Sequence, residues 1–174
     1  MYEIEVKIRI DCNSIPEIID KAIRLGGRIT GKQREEDVYY QHPCRNFLET
    51  DEALRVRVVD GKKYSLTYKG PRIESGSNVK KRVEVIVDIL SGDVGSLLER
   101  LGFYPVVKVV KDRVYVELGD ITLTLDKVEY LGCFVEVEGR DPTSINNILD
   151  KLNIKGEYVE ETYAEMIAKL KGLI

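Results

Sequence analysis

At the start of the chain Tyr2, Ile4, Val6, Ile8 and Ile10 alternate with Glu3, Glu5, Lys7 and Arg9. A period of two predicts a strand with one apolar face and one ionic face. A helix follows. Ser14 stands at its N-cap and Pro16 in its first turn, Ile15, Ile18, Ile19, Ala22 and Ile23 carry helical spacing, and Gly26-Gly27 stops it. The same unit returns twice. A strand over 82–90 leads to Asp93 and a helix through Leu97, Leu98 and Leu101, ended by Gly102. A strand over 134–138 leads to Pro142 and a helix through Ile145, Ile148, Leu149 and Leu152. Lys32, Arg34 and Val38-Tyr39 after the first unit echo Lys111, Arg113 and Val114-Tyr115 after the second, so the pattern reads as a weak internal repeat.

Further strands are expected over 36–41, 53–59, 63–69, 106–117 and 121–130, the last two joined as a hairpin through Gly119-Asp120. The stretch 70–78, with Pro71, Gly76 and several serines, reads as a mobile loop. From Glu160 onward Tyr163, Met166, Ile167 and Leu170 mark a closing helix. No linker interrupts the pattern. The expectation is one α+β domain, residues 1–174, built mostly from antiparallel strands.

Composition narrows the function classes. Lys plus Arg is 27 and Asp plus Glu is 30, a net charge of −3, which argues against a protein that coats nucleic acid or an anionic membrane. Apolar residues at 43% suffice for a core, yet their runs are too short for a membrane-spanning helix. No basic and apolar leader precedes the first strand, so a cytoplasmic location is expected. Cys12, Cys44 and Cys133 form no CxxC pair, and neither a disulfide nor a zinc site is expected from them; Cys133 reads as a packing residue. Gln33 and Gln41 are the only glutamines among abundant Lys, Arg and Glu, which leans towards a thermophile.

Charged residues make up 33% of the chain, against about 25% in a typical soluble domain, and the excess lies on the strands. Arg55 and Arg57 share one polar face; Ser65, Thr67 and Lys69 another; Lys80, Arg82 and Glu84 a third. Lys111 and Arg113, then Thr122, Thr124 and Asp126, then Glu136 and Glu138 continue the series. Alternation alone fits a solvated sheet face as well as the inside of a barrel. The segregation of acids and bases by strand favours the second. Clustered carboxylates suit a hard divalent cation, and clustered Arg and Lys suit phosphate oxygens. No Walker A loop or GxGxxG fingerprint occurs, so phosphate binding would depend on side chains.

Glu3-x-Glu5-x-Lys7 resembles the signature of the CYTH superfamily, the triphosphate tunnel metalloenzymes. The likeness continues in order through Asp37-Val-Tyr39-Tyr40, the run 50–57 ending Arg55-Val-Arg57, the run 66–71 around Lys69, and Lys81-Arg82-Val-Glu84. Lys111-Asp-Arg113, Leu125-Asp126-Lys127 and the run 131–138 ending Glu136-Val-Glu138 complete it. His42-Pro43-Cys44-Arg45 and the ThrTyrLysGlyPro stretch bring it nearest to the class IV adenylyl cyclase-like branch. The resemblance implies a closed eight-stranded antiparallel barrel with helices outside and the ionic faces lining a tunnel. It implies Mg²⁺ or Mn²⁺ held by Glu3, Glu5, Glu136 and Glu138, with Asp126 as a further ligand. Lys7, Arg55, Arg57, Lys69, Arg82, Lys111 and Arg113 would bind the triphosphate. Glu3, Glu5, Lys7 and Tyr39 would carry catalysis, Tyr39 meeting Lys7.

The implied reaction is conversion of ATP to cyclic AMP and pyrophosphate. The alternatives are hydrolysis of thiamine triphosphate, tripolyphosphate or a nucleoside triphosphate, and a non-catalytic polyphosphate-binding module. No nucleic-acid or membrane partner is implied, and the cyclase-like branch is commonly homodimeric. Thr162 in 161–165 stands where related proteins carry serine at a helix start. His42, the lone histidine, reads as a turn element, and the acidic residues 49–52 as a solvated turn.

Overall fold

A computed structural model describes residues 2–73 and 78–174. The strands are β1 (Tyr2–Ile10), β2 (Arg28–Gln41), β3 (Ala53–Val59), β4 (Lys63–Lys69), β5 (Lys80–Ile89), β6 (Tyr104–Leu118), β7 (Ile121–Val128), β8 (Gly132–Glu138) and the short β9 (Glu157–Tyr158). The helices are α1 (Ile15–Arg24), α2 (Val94–Arg100), α3 (Pro142–Leu152) and α4 (Tyr163–Leu170). The strand order β5-β4-β3-β2-β6-β7-β8-β1 closes through β1–β5 pairing. All pairs in this eight-stranded ring are antiparallel. Closure removes the free edges that an open sheet would expose. β9 lies beside β1 at Ile8 and Arg9, beyond the stretch that β5 covers.

The apolar faces point outward, and the helices cover them. Ile4, Val6, Ile8 and Ile10 join Leu123, Leu125, Val135 and Val137 in a core shared with Ile18 and Ala22 of α1 and Ile145, Leu149 and Leu152 of α3. Across the barrel, Leu54 and Val56 pack with Phe47 and with Leu98 of α2. Pro142 and the N-cap Asp141, whose carboxylate accepts from Ser144 N, fix the start of α3. The β6–β7 hairpin turns at Gly119, whose φ of +62° suits a residue without Cβ. Gly156 lets the chain before β9 approach β1, where a Cβ would sit 2.1 Å from the Arg9 carbonyl oxygen.

The α4 helix closes one end of the barrel. At one end of the ring the inward stripes turn from charged to apolar: Lys111 gives way to Val109 and Val107, Asp126 to Val128, and Glu136 to Phe134. Tyr163, Met166, Ile167 and Ala168 pack onto Val107, Val109, Val128 and Phe134, so α4 stoppers that end. A capping box fixes its first turn, Thr162 Oγ1 accepting from Glu165 N and Glu165 Oε2 from Thr162 N. Thr162 thus serves as the N-cap of α4.

The three strand-then-helix units and the 119–120 hairpin are present. β3 and β4 have the expected bounds, whereas β2 begins at Arg28 rather than 36 because it pairs along its length with β6, Arg28 opposite Glu117. Of the expected loop 70–78, residues 74–77 lie outside the described residues; before them Gly70 N donates to the Val83 carbonyl and Ile73 bridges to Lys81. Within 49–52, Glu49 and Thr50 are exposed as a solvated turn would be, but Asp51 and Glu52 are partly buried and engaged. Glu52 is 6% exposed and holds Arg45, Thr50 and Tyr68, while Asp51 accepts from Arg72. His42 is a turn element, its Nδ1 accepting from Cys44 N.

The cysteine expectation is overturned, since Cys12 and Cys133 form a disulfide across a sequence separation of 121. Pairing of β1 with β8 sets Ile10 opposite Cys133 and brings Cys12, just past the strand end, to the same wall. Cys44 is free and exposed. A bridge over so long a loop restricts the unfolded chain strongly and is worth about 2–4 kcal/mol. Reduction, or Cys12→Ser, is therefore expected to lower the melting midpoint by roughly 4–16 °C, read by calorimetry with and without reductant.

Candidate active site

The inward faces enclose a cavity of about 220 Å³ lined by charged side chains from β1, β3, β4, β5, β6 and β8, together with Tyr39, Tyr115 and Tyr163. Period two sorts them. Glu3, Glu5 and Lys7 alternate with the buried Ile4 and Val6, so one strand feeds the core outside and the cavity inside. Every triphosphate-binding residue expected from the sequence, namely Lys7, Arg55, Arg57, Lys69, Arg82, Lys111 and Arg113, lines this cavity, as do Glu3, Glu5, Glu136, Glu138 and Tyr39.

The carboxylates fall into two groups. In the first, towards α4, they hold bases in place. Asp37 accepts from Arg57 Nε at 2.6 Å and Nη2 at 2.7 Å, and from Arg55 Nη1 at 3.4 Å. Asp126 is fully buried between Arg113, whose Nε donates at 2.5 Å, and the Tyr163 hydroxyl at 2.8 Å. Glu136 accepts from Arg113 and faces Lys7 Nζ at 3.3 Å. Asp126 and Glu136, both expected as metal ligands, are thus engaged by cations in this arrangement. Lys7 also donates to the Glu161 carbonyl at 3.2 Å and lies 4.1 Å from the Tyr163 ring centroid.

The second group is Glu3, Glu5, Glu84 and Glu138. Register sets Glu5 opposite Glu138. Lys69 Nζ reaches Glu3 at 2.6 Å and Glu84 at 3.1 Å, and Arg82 Nε reaches Glu3 at 3.3 Å. Burial, together with the like charges of Glu3, Glu5 and Glu84, pushes the Glu138 carboxyl up to about 7. Among the described residues no three carboxylates stand close enough to hold an ion as they are, so binding one would require the side chains to draw together. The donor set nevertheless suits a divalent cation. All donors are carboxylate oxygens, and their mutual repulsion at Glu138 is what a bound cation would relieve.

Glu35 escaped the sequence reading, and Lys80, placed there on a polar strand face with Arg82 and Glu84, was given no role at the site. Glu35 is fully buried, faces Arg57 Nη1 at 2.9 Å and Lys111 Nζ at 3.3 Å, and accepts from the Tyr115 hydroxyl at 2.7 Å. The Glu35-x-Asp37-x-Tyr39 alternation carries the signal, but a strand begun at 36 excludes its first member. Lys80 is buried on the same face of β5 as Arg82; burial and the neighbouring Lys7 bring its ammonium down to about 8. Beside this cavity lies a larger, mostly apolar one of about 450 Å³, with Tyr40, Phe47, Leu54, Tyr104, Val106 and Ala168 in its walls; Tyr39, Ala53, Arg82 and Thr162 line both cavities.

Comparison with known proteins agrees with this geometry. The CYTH domain family model matches residues 1–164. A Methanocaldococcus jannaschii protein provisionally named an adenylate cyclase is 34% identical over 169 residues, which is 97% of this chain and 92% of that one. The inorganic pyrophosphatase TTM1 of Arabidopsis thaliana is 31% identical over 143 residues, 78% of this chain but 21% of that protein. The solved structure of the PH1819 protein of Pyrococcus horikoshii superposes with a TM-score of 0.82 at 36% identity, covering 97% of this chain and 99% of that one.

The buried network predicts acid sensitivity. Burial alone would raise Glu35, but Lys111, Arg113 and Arg57 outweigh it and hold its carboxyl at about 2 instead of 4.5. A carboxyl whose folded value is depressed stabilises the fold above its unfolded value and loses that contribution as pH falls through the folded one. Stability is therefore expected to fall between pH 4.5 and about 2, with Glu35 responsible for on the order of 3 kcal/mol. In Glu35→Gln, urea unfolding at several pH values should show lower stability at neutral pH and a shallower loss across that window. An unchanged pH slope would refute the assignment.

Proposed function

The chain belongs to the CYTH domain family, and from that membership we propose that it is a metal-dependent enzyme acting on a nucleoside triphosphate, in the manner of the class IV adenylyl cyclases. The observation that carries this reading is the pair of adjoining cavities. A charged one of about 220 Å³ suits a phosphate chain, and an apolar one of about 450 Å³ suits a nucleobase and ribose. Tyr39, Ala53, Arg82 and Thr162, which line both, would flank the junction where the ribose meets the α-phosphate. The name carried by the Methanocaldococcus relative, over nearly the full length of both chains, supports the same choice.

In this reading Lys7, Arg55, Arg57, Lys69, Arg82, Lys111 and Arg113 bind the phosphate oxygens, as charge-assisted donors do. Asp37, Asp126 and Glu136 keep Arg57, Arg113 and Lys7 from collapsing onto other partners, so the donors are arranged before substrate arrives. Glu3, Glu5 and Glu138 are the residues that would hold Mg²⁺ or Mn²⁺. A bound divalent cation would neutralise the phosphate oxygens and stabilise the leaving pyrophosphate. The ribose 3′-oxygen, releasing its proton to solvent, bonds to the α-phosphorus while the bond from that phosphorus to its bridging oxygen breaks.

Triphosphate hydrolysis is the second reading, favoured because the charged cavity is complete without the apolar one. An inorganic tripolyphosphate needs no base pocket. The test is to offer ATP, thiamine triphosphate and tripolyphosphate separately with Mg²⁺ or Mn²⁺ and to identify the products. Cyclic AMP with pyrophosphate is expected. Orthophosphate alone would transfer the assignment to hydrolysis, and no turnover of any of the three would overturn both. In either reading Glu5→Gln is expected to cut turnover about a hundredfold or more while circular dichroism reports a folded barrel. Unchanged turnover would remove Glu5 from the site.

A further inference from the structure

Lys80 opens β5, on the face it shares with Arg82 and Glu84 and directly opposite Glu5 of β1. Its neighbour Lys81 points the other way, its ammonium 4.6 Å from the centroid of the Tyr2 ring. Period two thus separates two adjacent lysines into an outer one and an inner one. The inner side chain is 6% exposed, and among the described residues its Nζ donates to no hydrogen-bond partner. The nearest carboxylate oxygen, Oε1 of Glu5, stands at 4.0 Å.

The cations that line the charged cavity, next to which Lys80 lies behind Glu5 and Arg82, are differently placed. Arg57 and Arg113 each grip a carboxylate with two nitrogens, Lys69 donates to both oxygens of Glu3, and Lys7 donates to a backbone carbonyl. A buried ammonium with three unspent donors is costly, and folded proteins carry few such groups. The cost rises beside Lys7 and Arg82, whose like charges act on it. The counter-charges near Lys80 are Glu5, at 4.0 Å, and Glu136, and among the described residues neither accepts a hydrogen bond from its Nζ; an anion in the adjoining cavity would supply that acceptor.

We propose that Lys80 is a substrate-contacting residue, its ammonium donating to a phosphoryl oxygen of the bound polyphosphate. The proposal rests on the triphosphate reading above and adds to it a contact made by the first lysine of the Lys80-Lys81-Arg82 run. It carries a signature of opposite signs. Removing an idle buried charge stabilises the empty protein, whereas removing a phosphate donor weakens binding.

The test pairs thermal unfolding of the ligand-free protein with calorimetric titration of tripolyphosphate in Mg²⁺, a probe that has no base and reads the phosphate contacts alone. Lys80→Met is expected to raise the melting midpoint by about 2–4 °C and to weaken binding about tenfold or more. Lys80→Arg, which keeps the charge, is expected to retain affinity within a few-fold. Should Lys80→Met fail to fold, Lys80→Gln serves for the same two measurements. Wild-type affinity in the Met variant would overturn the Lys80 assignment while leaving the triphosphate reading intact, and a lowered midpoint would make Lys80 a structural cation and overturn it as well. A wild-type protein that binds neither tripolyphosphate nor ATP would overturn the triphosphate reading, and the proposal with it.

Discussion

Charge turned inward must find a partner inside, and the rest of this structure follows from that constraint. The faces that would ordinarily form a barrel's apolar filling carry Glu, Asp, Lys and Arg instead. Each buried carboxylate of β2, β7 and β8 is met by a base from a neighbouring strand, Asp37 by Arg57 and Asp126 by Arg113. Such pairs repay their desolvation only when geometry and hydrogen bonding are good, which a closed ring of registered strands supplies. Hydrophobic cohesion is displaced to the outside of the wall, where α1 and α3 cover one flank and α2 covers another. The helices are there because the interior is occupied by charge.

The same constraint divides the site. Where bases match acids, the side chains are fixed in the empty protein. Where acids gather without enough bases, as at Glu3, Glu5, Glu84 and Glu138, the electrostatics are left strained, and Glu138 shows it. Lys80 is the corresponding imbalance on the cationic side. A pre-arranged region and an unsatisfied region thus lie side by side, and ligands have most to add in the second.

Much of this was legible in the sequence because period two is a local signal. It placed β1, β3 and β4, and it put Glu3 with Glu5 and Arg55 with Arg57 on common faces. Which face is the inside is not local; the segregation of acids and bases by strand leaned towards the ionic one, and the ordered likeness to a known family pointed to it more firmly. Partnership is also long-range. The hairpin at Gly119-Asp120 sets Arg113 opposite Asp126, but nothing near Asp126 reveals that Tyr163 closes over it too, and nothing near residue 28 reveals that β6 will extend β2 by eight residues towards its N-terminus. The inward stripe of β8 switches from Glu136 to Phe134 within one alternation, and that switch acquires meaning only when α4 is seen against it. Cys12 and Cys133 are a pair for the same reason that β1 and β8 are neighbours.

That bond changes what a broken backbone would mean. It joins the first turn after β1 to the start of β8, so most of the barrel wall lies within one covalent ring. A protease that cuts a connection anywhere between residues 12 and 133 opens the ring without dividing the molecule. Both fragments remain tethered, with the flanking strands still held in register, until a reductant releases them. Nicked and intact chains would then have nearly the same mass and travel together, and only reducing conditions would tell them apart.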